Sequence, residues 1–208
     1  MMRRGVTALL LIGFFASVLP AGKFNRQLSV GDAAPAWEGL RGVDGQLYSL
    51  AAWKDVPAVV VVFFANRCPV AEAYEQRLLQ LTADFRDRGV RVIAVSVSHH
   101  ASDRFEKMQQ RAHERRWTVP YVQDLTQDIA RKYGATTTSQ VFLLNAERKI
   151  AYMGAIDDQW KDAAKVETPY LRDALTAVLA GKPVDIAETR PLGCEIEYLD
   201  AKKARADE

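Results

Sequence analysis

One short stretch in the first half of the chain limits the possible folds more than any other. Residues 58–64 are continuously apolar and rich in β-branched and aromatic side chains, which is typical of a strand buried on both faces of a sheet. A short turn then leads to Cys68 and Pro69, and proline suits the first position of a helix because its missing N–H group is not needed there. The apolar residues that follow recur at spacings of three and four, which predicts an amphipathic helix. The sequence therefore predicts a cysteine at the junction of a buried strand and a helix N-terminus.

A cysteine in that position is expected to be reactive. Its thiolate would face free backbone N–H groups and the positive end of the helix dipole, and Arg67 adds a positive charge next to it. Such surroundings lower the pKa of a thiol to about 3.5–7.5. The alternative is a small buried side chain with no chemical role, since most free cysteines are of that kind. We expect Cys68 to be a nucleophilic thiol, with Arg67 as a candidate stabiliser of its thiolate.

The remaining patterns predict a mixed sheet covered by helices on both sides. Two further strands, a turn signal at 42–45 and a second hairpin alternate with three more amphipathic segments. One of these helices can be capped by Ser102 or Asp103, and Pro169 opens the last one. Parallel crossover units followed by an antiparallel pair describe an α/β fold, a three-layer sandwich with a mixed central sheet. The strands are expected at residues 90–98, 119–122, 141–144 and 150–153.

The first 21 residues have the layout of a secretory signal. Arg3 and Arg4 precede an apolar stretch over residues 5–19, which is shorter than the roughly 20 residues that span a membrane. Cleavage after Ala21 would export the protein to the periplasm or the extracellular space, and an uncleaved N-terminal membrane anchor is the alternative. Without Arg3 and Arg4 the 28 basic residues fall to 26, equal to the 26 acidic ones. The charge balance therefore gives no indication of a nucleic-acid partner.

The chain divides into residues 1–21, a single domain over residues 28–184 and a polar tail over residues 185–208. The tail carries Cys194, the second of two cysteines. An even number of cysteines permits a disulfide in an oxidising compartment. Cys194 could be the resolving partner of Cys68, a partner for another protein or an inert thiol. A bond between the two would close a loop of more than about 100 residues, which the chain-entropy model credits with about 4.7 kcal/mol.

Three motifs carry a resemblance to a known family. They are Asn-Arg-Cys-Pro at residues 66–69, Ile-Asp-Asp at 156–158 and Gly-Cys at 193–194. They are similar to motifs of a subgroup of thioredoxin-fold redoxins, the superfamily that includes the alkyl hydroperoxide reductase/thiol-specific antioxidant proteins. The resemblance runs from about residue 31 to 182. It implies a thioredoxin-like fold, a protein disulfide or hydroperoxide as substrate, an external thiol or thioredoxin-type protein as reductant, and no cofactor or metal.

The active-site motifs depart from the family pattern in three ways. Ala71 stands where dithiol members have a second cysteine. Ala65 stands where peroxide-reducing members have a threonine, and Val61 where they have a proline. The loop that faces the cysteine reads Thr138-Ser139 instead of Thr followed by a cis-proline. Because a non-proline cis bond costs about 2.5–4 kcal/mol, we expect a trans peptide there and a remodelled substrate-facing loop.

Two functions remain open at this point. The first is an exported thiol oxidoreductase that works through Cys68, and the second is a binding or scaffold module that keeps the fold without catalysis. Other polar residues add no further site. Asp157 and Asp158 are expected in turn and cap roles. The histidines do not match metal-ligand spacing and are expected in solvated loops, at positions 99, 100 and 113.

Overall fold

The computed structural model describes residues 22–199. Within that range seven strands form one sheet: β1 Leu40–Gly42, β2 Leu47–Tyr48, β3 Val59–Phe63, β4 Arg91–Ser96, β5 Tyr121–Gln123, β6 Val141–Leu144 and β7 Ile150–Gly154. Their order is β2-β1-β5-β4-β3-β6-β7. The pairs β3–β4 and β4–β5 are parallel, and the other neighbours are antiparallel. The predicted mixed sheet is confirmed.

Strand β3 lies in the interior of the sheet and has no exposed residue. It pairs with β4 on one side and β6 on the other, and all five of its residues are fully buried. Successive side chains of a strand point to opposite faces, so Val60 and Val62 pack in one core while Val59, Val61 and Phe63 pack in the other. The prediction of a strand buried on both faces is confirmed.

Four helices cover the two faces of the sheet within the described range. They are α1 Pro69–Arg86, α2 Phe105–Glu114, α3 Asp128–Tyr133 and α4 Tyr170–Leu179. Helices α1, α2 and α4 place Leu78, Met108 and Leu171 in the core on one face. Helix α3 places Tyr133 in the core on the opposite face, beside Trp37. This arrangement is the predicted three-layer sandwich.

One helix start differs from the prediction for a tertiary reason, and another is set by the backbone conformation of the preceding residue. Ser102 and Asp103 do not cap α2 but lie in a separate 3-10 turn, Ala101–Asp103, and α2 begins at Phe105. The Asp103 carboxylate is bonded elsewhere, to the turn before Cys68. Helix α3 begins at Asp128 because Gln127 adopts a left-handed conformation with φ of 61°, which ends any continuous helix through that residue.

The tail returns along the sheet after α4. The backbone of Met153 in β7 bonds to Ala187 and Thr189, and further on Glu195 pairs with Thr137 in an antiparallel bridge. The predicted signal peptide or anchor at residues 1–21 and the tail beyond residue 199 lie outside the described residues. No helix within residues 22–199 combines the length and apolar character needed to cross a bilayer.

Candidate active site

Cys68 is the N-cap residue of α1, five residues after the end of β3. Its side chain is fully buried, and its Sγ accepts a hydrogen bond from the backbone N–H of Ala71 at 3.5 Å. Pro69 occupies the first turn of the helix. The strand–turn–helix pattern thus places the sulfur at the helix N-terminus, as the sequence predicts, with one free N–H of the first turn aimed at it.

Asp103 fixes the turn that delivers Cys68. Its Oδ1 accepts the backbone N–H groups of Asn66 at 2.5 Å and Arg67 at 3.3 Å, and its Oδ2 accepts the hydroxyl of Ser98 at 2.7 Å. The residue is fully buried, and a buried carboxylate is stable only when its oxygens are bonded in this way. Sequence reasoning treats Asp103 as a helix cap, since an aspartate before a helix gives the same local signal in both roles.

The tail brings Cys194 directly onto Cys68. The backbone N–H of Cys194 donates to Cys68 Sγ at 3.4 Å, although the two residues are 126 positions apart in the chain. The residues around Cys194, which we call the tail strand (193–197), pair with the loop at residues 136–139, which we call the facing loop. Thr138 N–H donates to Cys194 O at 2.8 Å, and Ile196 N–H donates to Thr136 O at 2.9 Å. Both cysteines are free thiols.

Gly193 is the residue that allows this close approach. It has a φ of 155°, and a Cβ built on it would lie 1.7 Å from the carbonyl oxygen of Thr138. No side chain fits in that space, since real Cβ atoms do not come within 3.0 Å of another heavy atom. The Gly-Cys pair that the sequence shares with the redoxin subgroup is therefore a steric requirement for docking the tail strand.

The facing loop has a trans peptide between Thr138 and Ser139, as expected, since no cis bond occurs among the described residues. Ser139 adopts a left-handed conformation with φ of 68°, is buried, and donates its N–H to Phe63 O at 2.5 Å. Thr138 is also buried and bonds to both cysteines, through its N–H to Cys194 O and through its hydroxyl to Cys68 Sγ. The tail strand covers the outer edge of the loop, so contact between this loop and a substrate stays a prediction.

The pKa values of the two thiols are shifted in opposite directions. Burial alone would raise the pKa of Cys68, but hydrogen bonds from the Cys194 thiol and the Thr138 hydroxyl lower it. The backbone N–H groups of Ala71 and Cys194 act in the same direction, and the pKa of Cys68 lies below its ordinary value. The pKa of Cys194 is raised to about 11 by burial and by its hydrogen bond to Cys68. Cys68 is therefore the stronger nucleophile of the pair, because the thiolate is the reactive form.

Arg67 points toward the tail. Its guanidinium bonds Glu197 Oε1 at 2.8 Å, and the two side chains are 30% and 76% exposed. Its charge lowers the pKa of Cys194, against the larger effects of burial and of Cys68 that raise it. A role for Arg67 in stabilising the Cys68 thiolate stays a prediction.

Cys194 also lines a cavity of about 240 Å³. The cavity lies beside the tail strand, and its polar wall includes Arg67, His99, His100 and Glu197. His99 Nε2 contacts Leu125 O at 2.8 Å. Within residues 22–199 no group of three or more histidine, cysteine or acidic side chains is placed to hold a metal ion.

The two aspartates of the Ile-Asp-Asp motif have structural roles. Asp158 accepts the backbone N–H groups of Glu167 and Thr168, which is the expected turn role. Asp157 accepts the N–H of the turn residue Gln159 and also forms a buried ion pair with Arg77 at 2.6 Å. The sequence gives no signal for that ion pair, because its two partners are 80 positions apart.

Redoxins are defined by a thioredoxin-like sandwich and by a thiol at the N-terminus of one of its helices. Here that helix is α1, which follows the buried strand β3. This chain belongs to the AhpC/TSA family, which it matches over residues 30–153, more than half of its length. The family assignment made from the motifs is confirmed, and so is the fold.

Solved structures share the fold. A hypothetical protein from Sinorhizobium meliloti 1021 is 30% identical, with a TM-score of 0.78, over 84% of this chain and 97% of that one. An uncharacterized conserved protein from Geobacillus kaustophilus is 30% identical, with a TM-score of 0.77, over 82% and 93%. The thioredoxin domain of a thiol-disulfide oxidoreductase from Bacteroides vulgatus is 24% identical, with a TM-score of 0.53, over 61% and 88%, and shares the fold. A search of curated proteins finds no match.

Proposed function

We propose that this protein is a thiol-dependent oxidoreductase in which Cys68 is the nucleophile and Cys194 is the resolving thiol of the same chain. The observation that carries the proposal is the 3.4 Å contact between the N–H of Cys194 and the sulfur of Cys68. The opposite pKa shifts of the two thiols support the assignment of roles. The second thiol that dithiol redoxins carry at the position of Ala71 is replaced here by a thiol from the tail.

The reaction we favour is the reduction of a hydroperoxide. The Cys68 thiolate attacks the terminal oxygen, the O–O bond breaks, and the alcohol or water leaves after taking up a proton. The sulfur is oxidised to a sulfenic acid. The Cys194 thiol then attacks that sulfur, so an S–S bond forms and water leaves with the hydroxyl of the sulfenic acid. The hydroperoxide has accepted two electrons, and the two thiols have given them up in forming the disulfide.

The burial of Cys68 favours a hydroperoxide over a protein disulfide. A hydroperoxide leaves one oxygen atom on the sulfur, whereas a protein disulfide leaves a whole polypeptide attached to it. Cys68 has no exposed surface, and the tail strand occupies the edge of the facing loop. The hydroxyl that peroxide-reducing members carry at position 65 is absent, but the Thr138 hydroxyl hydrogen-bonds the Cys68 sulfur.

An external thiol would complete the cycle by attacking Cys194. Cys194 is the more exposed of the two sulfurs and lines the cavity of about 240 Å³. Attack there releases Cys68 as the leaving thiolate, and a thiol of lower pKa leaves faster. A second thiol of the reductant then frees Cys194, so two reducing equivalents enter for each hydroperoxide.

The test is a titration of the reduced protein with hydrogen peroxide, followed by peptide mass mapping without reductant. One equivalent should convert the wild type to a Cys68–Cys194 disulfide, and the Cys194→Ala variant should stop at a Cys68 sulfenic acid that a dimedone-type reagent traps. Cys68→Ser should consume no peroxide. If wild-type Cys68 remains unmodified and is alkylated no faster than an ordinary cysteine, the oxidoreductase proposal is wrong and a binding or scaffold role takes its place.

We also propose that the protein is exported. The support is the basic and then apolar pattern of residues 1–21, together with the pair of cysteines, which suits an oxidising compartment. Expression of the whole chain, followed by cell fractionation and intact-mass measurement, tests this proposal. A mature protein that begins at Gly22 outside the cytoplasm supports cleavage and export, a full-length membrane-bound form supports the anchor, and a full-length cytoplasmic form refutes both.

A further inference from the structure

We propose that Gln127 is a positioning residue that holds the tail in place and so keeps Cys194 within reach of Cys68; the functional part of this inference rests on the proposed function. Gln127 lies immediately before α3 and is fully buried. Its side chain connects three segments of the chain: the residue that follows β4, helix α3 and the tail.

The amide group of Gln127 uses all of its main hydrogen-bonding capacity. Nε2 donates to Val97 O at 2.9 Å and to Glu197 O at 2.9 Å. Oε1 accepts the N–H of Leu199 at 2.9 Å and a guanidinium N–H of Arg131 at 3.3 Å. Donor and acceptor atoms on a single planar amide are found only in asparagine and glutamine side chains. A glutamate could accept from Leu199 but would leave the carbonyl oxygens of Val97 and Glu197 without a donor.

The backbone at Gln127 favours this role over a role in helix capping. Gln127 has a φ of 61°, a conformation that non-glycine residues seldom adopt, and its side chain makes no cap bond to α3. The side chain is turned to the tail instead. Local strain of this kind persists only where surrounding contacts hold it in place.

The anchor lies close to the reactive thiol. Glu197, whose carbonyl Gln127 holds, is three residues after Cys194, a distance of about 10 Å in extended chain. Helix α3 adds two further contacts to the same piece of tail: Arg131 bonds the carbonyl of Leu199, and its guanidinium lies 4.6 Å from the ring centre of Tyr198. Because the end of the tail strand is fixed, Cys194 stays paired with the facing loop. The entropic cost of bringing the two thiols together is therefore not part of the barrier to their reaction.

The first measurement is the labelling rate of Cys194 by a bulky maleimide in the fully reduced full chain. The rate follows the fraction of molecules in which the tail is open, provided that opening is fast. Each lost hydrogen bond to the tail is expected to raise that fraction about five-fold. Gln127→Met removes two such bonds, so labelling should rise on the order of 25-fold. Leu199→Pro removes the N–H that Gln127 accepts while Gln127 stays intact, and it should raise the labelling rate about five-fold.

The second measurement separates positioning from general structural support. After one equivalent of hydrogen peroxide, the sulfenic acid of Cys68 is partitioned between Cys194 and a dimedone-type trap. Gln127→Met should form the sulfenic acid as fast as the wild type, since the tail is still closed in most molecules. It should lose more of that acid to the trap, because the trap reaches the buried sulfur only when the tail is open. The matched control is Gln110→Met, a glutamine on the exposed face of α2 that bonds only its helix neighbours Lys107 and Glu114; it should change neither quantity.

Unchanged Cys194 labelling and unchanged partitioning in both Gln127→Met and Leu199→Pro would overturn the proposal. It is also overturned if Gln127→Met slows sulfenic acid formation and resolution equally, or if its Cys194 labelling rises only as much as global unfolding does. Failure of the proposed function gives a different result, because wild-type Cys68 would then form no sulfenic acid. The comparison of Cys194 labelling rates would still measure how strongly Gln127 keeps the tail closed.

Discussion

Replacing Gly193 with alanine should detach the tail strand from the facing loop. The new Cβ would lie 1.7 Å from the carbonyl oxygen of Thr138, and relief of that overlap requires the tail strand to move away. Three hydrogen bonds depend on its position: Cys194 N–H to Cys68 Sγ, Thr138 N–H to Cys194 O, and Ile196 N–H to Thr136 O. At about 1 kcal/mol each, their loss amounts to about 3 kcal/mol, which corresponds to about a 100-fold larger open population of the tail.

The assay is Cys194 labelling in the reduced protein, together with the pH dependence of Cys68 alkylation. Labelling should rise about 100-fold by the same arithmetic. The alkylation midpoint of Cys68 should move to higher pH, because the N–H and thiol donors of Cys194 no longer stabilise the thiolate. Gly31→Ala is the matched control, since Gly31 also has a positive φ of 96° but has nothing within 4 Å of the added Cβ. If both variants behave alike, the reasoning is refuted, because backbone strain alone would explain the effect.

Three further substitutions test the surroundings of Cys68. Thr138→Val should raise the pKa of Cys68, seen as a higher alkylation midpoint, because the hydroxyl that lowers the pKa is lost. The folded-state pKa of Cys68 lies below its unfolded value of about 8.5. Its thiolate therefore stabilises the fold above pH 8.5, and this contribution disappears as the pH falls through the folded-state pKa; urea titrations should show a smaller pH effect in Thr138→Val. Asp103→Asn should lower the free energy of unfolding by about 1–3 kcal/mol and slow Cys68 alkylation, because a neutral amide oxygen would replace the carboxylate that accepts the N–H groups of the turn. Wild-type values for both would contradict the anchoring role. Arg67→Met should leave the Cys68 midpoint almost unchanged, because the guanidinium is engaged in an exposed ion pair with Glu197; a shift as large as that of Thr138→Val would restore Arg67 as the thiolate stabiliser.

The sequence predicts the centre of the fold well because the signals there are local. The apolar run of β3, the cysteine and the following proline lie within a dozen residues, and one strand–turn–helix unit satisfies all of them. The alternation of strands and helices around it likewise leaves few sheet arrangements, since parallel crossovers and hairpins constrain the order of strands. These parts of the molecule follow from hydrophobic periodicity and turn chemistry alone.

The complete site could not be predicted, because its contacts are made by backbone groups that leave no pattern in the side chains. Cys194 meets Cys68 through N–H and C=O groups of the tail strand, and every non-proline residue carries those groups. Gly193 and the even number of cysteines are the sequence signals of the contact, but a single glycine fits many turns and a cysteine count gives no distance. Asp103 and Gln127 act across long sequence separations, and their local surroundings suggest only a helix start.

The 126 positions between Cys68 and Cys194 also fix an order of events during synthesis. A chain is made from its N-terminus, and its earlier parts can fold first. The strand–turn–helix that carries Cys68 therefore exists before the segment that closes over it. Until the tail strand docks, the thiol has neither its internal partner nor its cover, and a newly made molecule is a one-cysteine protein open to adduct formation with any thiol reagent it meets. Maturation of this protein is complete only when the tail strand has paired with the facing loop.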